Sequence, residues 1–425
     1  MVPDTGPDRV ASFSGRSIRV VTVTLPNTNE ERLQALADLT VSFAANVQPG
    51  QVLAIGAELG KEEFVRALAD AGYRAGAKFV DVAWFDPHVK RSRIRHAEPD
   101  SLGWVPPWYG QRALALGDQM AARIGITGPV EPHLFDDLDP ALVGRDQLPF
   151  VAENGKVVSD RTTNWTAVPC PTPGWAKLCF PDIDPEAALE QLWKEVAHVC
   201  RLDEPDPRAA WAERMDLLES VGERLRALKP TALRLRGPGT DLEVGLLPTS
   251  KWISARFSRK DGLVHMANMP SEEIFTTPDP ERVNGVVTAT KPLVAAGTVI
   301  EGLRVEFKDG HVVKIEAERG GEALQAISQR DEGASRLGEI ALVDGGGRIG
   351  PLEHPFYDTL LDENAASHIA IGSAYLFAID EEDQDRANRS AVHVDFMIGS
   401  DEVETSAVLA DGTEVVVLKS GQWQI

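Results

Sequence analysis

At 425 residues the chain is longer than one ordinary core needs, and at roughly 100–200 residues per domain its length predicts two domains. With 43% apolar and 25% charged residues the composition is that of a soluble globular protein, which favours neither a disordered nor a membrane-embedded class for the bulk of the chain. The formal charge of −22 argues against nucleic acid as a partner, because binding phosphates needs Lys and Arg, and favours a small or peptidic ligand.

Residues 1–25 hold Pro, Gly and Ser around a short apolar run and show no helical period, which predicts a flexible N-terminal extension. They also lack a basic-then-apolar signal peptide, and no apolar stretch reaches the roughly 18–20 residues of a spanning helix, so the expectation is cytoplasm and no membrane. From Asn27 or Thr28, either of which can cap a helix, Glu30 and Glu31 form a first turn and Leu33, Leu36, Leu39 and Phe43 follow at helical spacing. A βαβ unit comes next. Val52 to Ile55 is a continuous apolar strand, Lys61 to Tyr73 carries Phe64 and Leu68 on one helical face, and Phe79 to Trp84 is a second strand, predicting a parallel sheet. Gly56 and Gly60 lie in neither a G-x-G-x-x-G nor a G-K-[ST] context, so they read as a strand-to-helix turn rather than a phosphate loop. Cys170, Cys179 and Cys200 have no C-x-x-C spacing and read as buried or free thiols.

Asp203 to Pro207 is acidic and Pro-containing, and precedes an amphipathic helix through Trp211, Met215, Leu218, Val221, Leu225 and Leu228 that Pro230 stops. The domain boundary is placed there, giving an N-terminal α/β domain over 26–204 and a C-terminal domain over 205–425. Beyond it strands dominate: Leu233 to Arg236, Leu242 to Leu246, Gly285 to Thr290, Leu303 to Lys308, Val312 to Glu316 and Glu414 to Leu418. The expected fold is thus a mostly parallel α/β domain followed by a β-rich α+β domain.

Metal-ligand residue types concentrate in that second domain. In the strand-like run Ala391 to Ile398, His393 and Asp395 are two residues apart, so they share a face about 6.5 Å apart and could converge on one ion or an adjacent pair. A salt-bridged pair on a solvated face is the alternative for these two. His368 sits where the polar cluster Asp362-Glu363-Asn364 runs into apolar text, a join that suits either a pocket lining or, for Asp362 and Glu363, a solvated helix cap. Glu273 and Glu339 each abut a hydrophobic strand. Together these five make an all-N/O set, which suits zinc, cobalt or manganese and disfavours a thiolate site.

Four segments in this order resemble the aminopeptidase T and aminopeptidase S family of dinuclear metallo-exopeptidases. They are Asn268 to Pro278 with Asn284-Gly285-Val286-Val287, Arg336 to Val343, Phe356 to Tyr375, and Val392 to Gly399. Gly174-Trp175-Ala176, Phe180-Pro181-Asp182 and Leu192-Trp193 extend the resemblance over nearly the whole chain except about the first 25 residues. It implies two divalent ions per chain held by Glu273, Glu339, His368, His393 and Asp395, an active-site tyrosine at Tyr375, short peptide substrates and a homodimer enclosing the sites. Two cations sharing a water would lower its pKa from about 15.7 toward neutrality, and the free amino terminus approaching one of them would confine cleavage to the first residue. Glu339 is the candidate for a ligand that also handles the proton, because five ligands for two ions leave few separate bases. Tyr375 would donate to the tetrahedral oxyanion. The stretch between Tyr375 and His393 departs from the family by being short and acidic. The rival reading is a mononuclear iron ring-cleaving dioxygenase of the dihydroxypyridine type, with His368, His393 and Asp395 as its triad; it leaves Glu273, Glu339 and Tyr375 without a role.

Overall fold

The computed structural model of the chain describes residues 25–146, 148–149, 151–295 and 298–425, so the extension expected over 1–25 lies outside the described residues apart from Leu25. The first helix, Asn29–Leu39, begins at a capping box in which the Thr28 hydroxyl accepts the Glu31 N–H and the Glu31 carboxylate accepts the Thr28 N–H.

Four parallel strands follow, in the spatial order Phe79–Phe85, Val52–Glu58, Ala122–Thr127, Asn164–Pro169. Parallel pairing requires crossovers, and helices such as Glu62–Arg74 and Pro107–Asp118 supply them. Gly56 lies inside its strand, while Gly60 turns the chain at φ +100°, so this is a strand-to-helix turn. Leu53 and Ile55 pack with Phe64, Leu68, Trp175, Leu192 and Trp211 in the first core. The three cysteines are free, and burial pushes the Cys170 thiol up to about 12, which makes it inert.

The helix Pro207–Leu228 is capped by Asp206 and serves both cores. Trp211 and Met215 near its start belong to the first, and Leu218, Val221 and Leu225 to the second. Beyond it the described residues form, besides two small two-stranded sheets, two large antiparallel ones, as the β-rich expectation required. One has eight strands in the order His311–Glu316, Arg304–Lys308, Pro278–Thr288, Thr240–Leu246, Ala232–Gly237, Glu404–Val408, Glu414–Lys419, Gln422–Trp423. The other has five, in the order His393–Met397, His368–Gly372, Leu337–Val343, Glu273–Thr276, Ile253–Ser254.

Segments that lead into this five-stranded sheet contact the parallel sheet. Ala167 exchanges backbone hydrogen bonds with Ala267 and Met269, just before Glu273. The Asp358 carboxylate accepts the Gly128 N–H at 2.9 Å and the Thr127 hydroxyl at 3.3 Å, at the C-terminal ends of the parallel strands. Among the described residues no helix is long and apolar enough to cross a membrane.

Candidate metal centre

The period-2 alternation of the five-stranded sheet sorts its residues into two unlike faces. Ile274, Ile340, Leu342, Ile369, Ile371 and Phe396 point one way and are fully buried in the second core. The opposite face carries Glu273 and Phe275 on one strand, Glu339 and Ala341 on the next, then His368, Ala370 and Gly372, then His393 and Asp395. Pairing sets these side by side: Glu339 opposite Ala370, Ala370 opposite Asp395, Ala341 opposite His368 and Gly372 opposite His393. Ala341, Ala370 and Gly372 leave open space between the larger polar groups.

All five candidate ligands come together there. His368 Nε2 lies 3.1 Å from Glu273 Oε2, and His393 Nε2 lies 3.1 Å from Glu339 Oε2 and 3.5 Å from Asp395 Oδ1. Potential ligand atoms of Glu273, Glu339 and His368 lie within 4.8 Å of one another, and so do those of Glu339, His393 and Asp395, which makes Glu339 common to both trios.

Each imidazole is oriented from behind. His393 Nδ1 is 2.8 Å from the Ser373 carbonyl and His368 Nδ1 is 3.2 Å from the Ala366 carbonyl. A carbonyl only accepts, so each Nδ1 carries a proton and Nε2 is the nitrogen turned to the centre, the one that would offer its lone pair to a bound ion, as metal-binding histidines do. Gly372 makes the first of these contacts possible. Its φ of +107° turns the chain out of the strand just before Ser373, and a Cβ there would fall 2.1 Å from the Val392 carbonyl oxygen.

The electrostatics call for cations. Glu273, Glu339, Glu363 and His368 line one cleft, with His393, Tyr375 and an aromatic wall, and Asp395 adjoins His393. Burial, reinforced by Asp395 and Glu273 and opposed by His393, pushes the Glu339 carboxyl up to about 7. With no ions to offset them, burial and the Asp395 and Glu273 carboxylates also raise Glu363 well above the carboxylate range. Burial alone would lower His368, yet the neighbouring Glu273, Asp395 and Glu339 carboxylates outweigh it and hold the imidazole at about 10. The His393 imidazole is likewise raised against burial, by Tyr375, Asp395 and Glu339. His393 pulls the Tyr375 phenol down, but burial and the carboxylates around it leave it above its ordinary value. Buried charge of one sign is costly unless it is paired. Glu273 Oε2 and Asp395 Oδ1 are buried and face only the imidazoles, at 3.1 and 3.5 Å, which fits oxygens placed to ligate an ion.

Tyr375 lies beside His393, its ring tilted by 52° at 5.1 Å between ring centres, and is held by Phe275 and Phe377 at 5.6 and 5.3 Å. The departing acidic stretch forms a brace. Asp383 accepts from the Thr249 N–H and hydroxyl, while Arg386 pairs with Asp383 and Asp279. Of the residues weighed in the sequence, Asp362 is not a solvated cap: it is buried and accepts the backbone N–H groups of Phe356 and Asp358. Glu363 faces the cleft as a separate carboxylate. Phe275 was legible, being two residues from Glu273 on a strand; Trp165 was not, because it reaches the cleft from the parallel sheet.

Behind Glu273 lies a second ionic cluster. Glu272, fully buried, accepts from Arg201 at 2.8 Å and Arg214 at 2.6 Å, and Arg214 also pairs with Asp344. It ties the helix Pro207–Leu228 to both glutamate-bearing strands.

Residues 29–423 match the thermophilic metalloprotease (M29) family. The chain is 37% identical to aminopeptidase T of Thermus thermophilus over 93% of its own length and 99% of that protein's. It is 36% identical to aminopeptidase PepS of Streptococcus thermophilus, over 94% and 100% of the two lengths. Among solved structures, wild-type AmpT from Thermus thermophilus superposes with a TM-score of 0.85 at 36% identity, covering 94% of this chain and 100% of that one. A match over nearly its full length, to relatives of the same size and fold, establishes that the chain belongs to the thermophilic metalloprotease family.

Proposed function

We propose that the chain removes the first residue from short peptides, using two divalent ions of zinc, cobalt or manganese. Family membership makes it a metallopeptidase, and relatives named aminopeptidases make it an exopeptidase. The observation that carries the two-ion reading is the pair of ligand trios meeting at Glu339. On this reading Glu273 and His368 would hold one ion and His393 and Asp395 the other, with Glu339 within reach of both.

Bound ions would supply a water acidified toward neutrality and polarise the scissile carbonyl. The chain's own groups do the rest. Glu339 lies between the trios, where it can take a proton from the attacking water and pass it to the leaving amine. The Tyr375 phenol, kept protonated by its surroundings, donates to the oxyanion. Trp165, Phe257, Phe275 and Phe377 shape a dry wall for the first side chain. The reading takes a homodimer as the assembly and the cytoplasm as the compartment. A one-iron dioxygenase would leave Glu273 and Glu339 without a task, and the aminopeptidase relatives give it no support.

The test is to strip the protein with a chelator and follow aminoacyl-p-nitroanilide cleavage as zinc, cobalt or manganese is restored. Activity should vanish, return at two ions per chain, and fail on acetylated substrates. Silence with every metal would remove the proposal.

A further inference from the structure

We infer that Glu363 is the residue that receives the substrate's amino terminus, so that it, rather than the ion ligands, makes this site an exopeptidase site. The inference rests on the aminopeptidase reading above. Glu363 lines the same cleft as Glu273, Glu339, His368 and His393, yet belongs to neither ligand trio. Each of the other three acids faces an imidazole at 3.1–3.5 Å. Glu363 pairs with no Lys, Arg or His among the described residues, and its Oε1 has only the amides of Asn268 and Asn364, each at 3.4 Å.

The carboxylate is also held in place. Glu363 ends the short helix Thr359–Glu363, whose start is pinned by Asp358 to the Gly128 N–H. The next residue, Asn364, donates to the Leu360 carbonyl and accepts the Glu272 N–H at 2.6 Å. A partly exposed carboxylate on a fixed mount, with no cation of its own, is suited to a cation that arrives with the substrate.

A peptide's amino terminus is such a cation: its pKa of about 8 leaves it largely protonated at neutral pH, and metal ions alone would repel it. Glu363 offers it a charge-assisted hydrogen bond from outside the two ligand trios that share Glu339, where the water would react. A peptide bond further along a chain would present no ammonium group there, which restricts cleavage to the first residue.

The experiment compares wild type, Glu363→Gln and Glu363→Asp, all metal-loaded, with leucine p-nitroanilide. Two readouts do not depend on turnover: metal content by plasma mass spectrometry, and calorimetric binding of leucinol, an amine that cannot be hydrolysed. Glu363→Gln should keep the wild-type metal content, raise KM and weaken leucinol binding by about 10- to 100-fold, and change kcat by less than about threefold. Glu363→Asp should fall between the two, and it carries the test if the Gln variant does not fold. An unchanged KM would overturn the inference, whether kcat is unchanged or has collapsed, the latter marking a proton-handling group instead. Loss of an ion would overturn it by making Glu363 a ligand. A wild type inactive on every substrate would refute the aminopeptidase reading itself, and this inference with it.

Discussion

Tyr375 lies beside His393 and is not one of the five proposed ligands, so on that reading its hydroxyl is separable from metal binding. Tyr375→Phe should lower kcat about 100-fold, the usual cost of one oxyanion donor, with metal content unchanged. Turnover at the wild-type rate would take the role away from it. Arg214 makes a different kind of prediction. It is 6% exposed, burial works against its charge, and Glu272 and Asp344 more than restore it. Arg214→Met would leave those acids short of a cation and should cost about 3–5 kcal/mol in denaturant unfolding. A loss within experimental error would mean that Arg201 alone compensates Glu272. Among single residues, the ligand types were legible because His and Asp on alternate strand positions are informative by themselves. The partners of Glu272 were not, since Arg201 and Arg214 are 71 and 58 residues away in sequence.

At the level of elements, the five-stranded sheet is the unit that gathers the ligands. Its apolar face anchors it in the core, and a one-residue slip would turn every ligand inward. The small residues on its polar face are then as necessary as the large ones. Ala370 is fully buried and registers between Glu339 and Asp395. Ala370→Leu should weaken metal binding at least about tenfold while costing about 1–3 kcal/mol of stability from overpacking. Titration of the variant with metal would show this, and wild-type affinity would contradict the proposed position of the ions. The strands His393–Met397 and Leu337–Val343 were readable from their β-branched and apolar runs. Their order in the sheet was not, because register depends on which apolar face finds a core.

For the whole molecule, the concentration of acid around two imidazoles predicts how pH and metal act on stability. In the metal-free protein the folded state holds His368 protonated up to about 10, whereas an unfolded histidine releases its proton near about 6.5. The folded state therefore binds more protons between those values. This stabilisation is complete below about pH 6.5 and is lost as pH rises through about 10. The melting temperature of stripped protein should accordingly fall from pH 6.5 to 10, and saturating metal should raise it and flatten the dependence. A stripped protein equally stable at both ends would contradict the electrostatic account of the cleft.

The sequence by itself determined the α/β-then-β order of the chain, the capping of its first helix and the residue types able to bind a metal. Those features depend on local periodicity, caps and side-chain chemistry, all of which neighbours in sequence express. Only the tertiary structure decided that Glu339 is common to two trios, that Ala370 keeps space beside it, that Trp165 crosses from the other sheet and that Glu363 faces the cleft unpaired. Each of these depends on strand register and on packing between segments far apart in the chain, where contact is set by burial of the whole apolar face rather than by any local pattern.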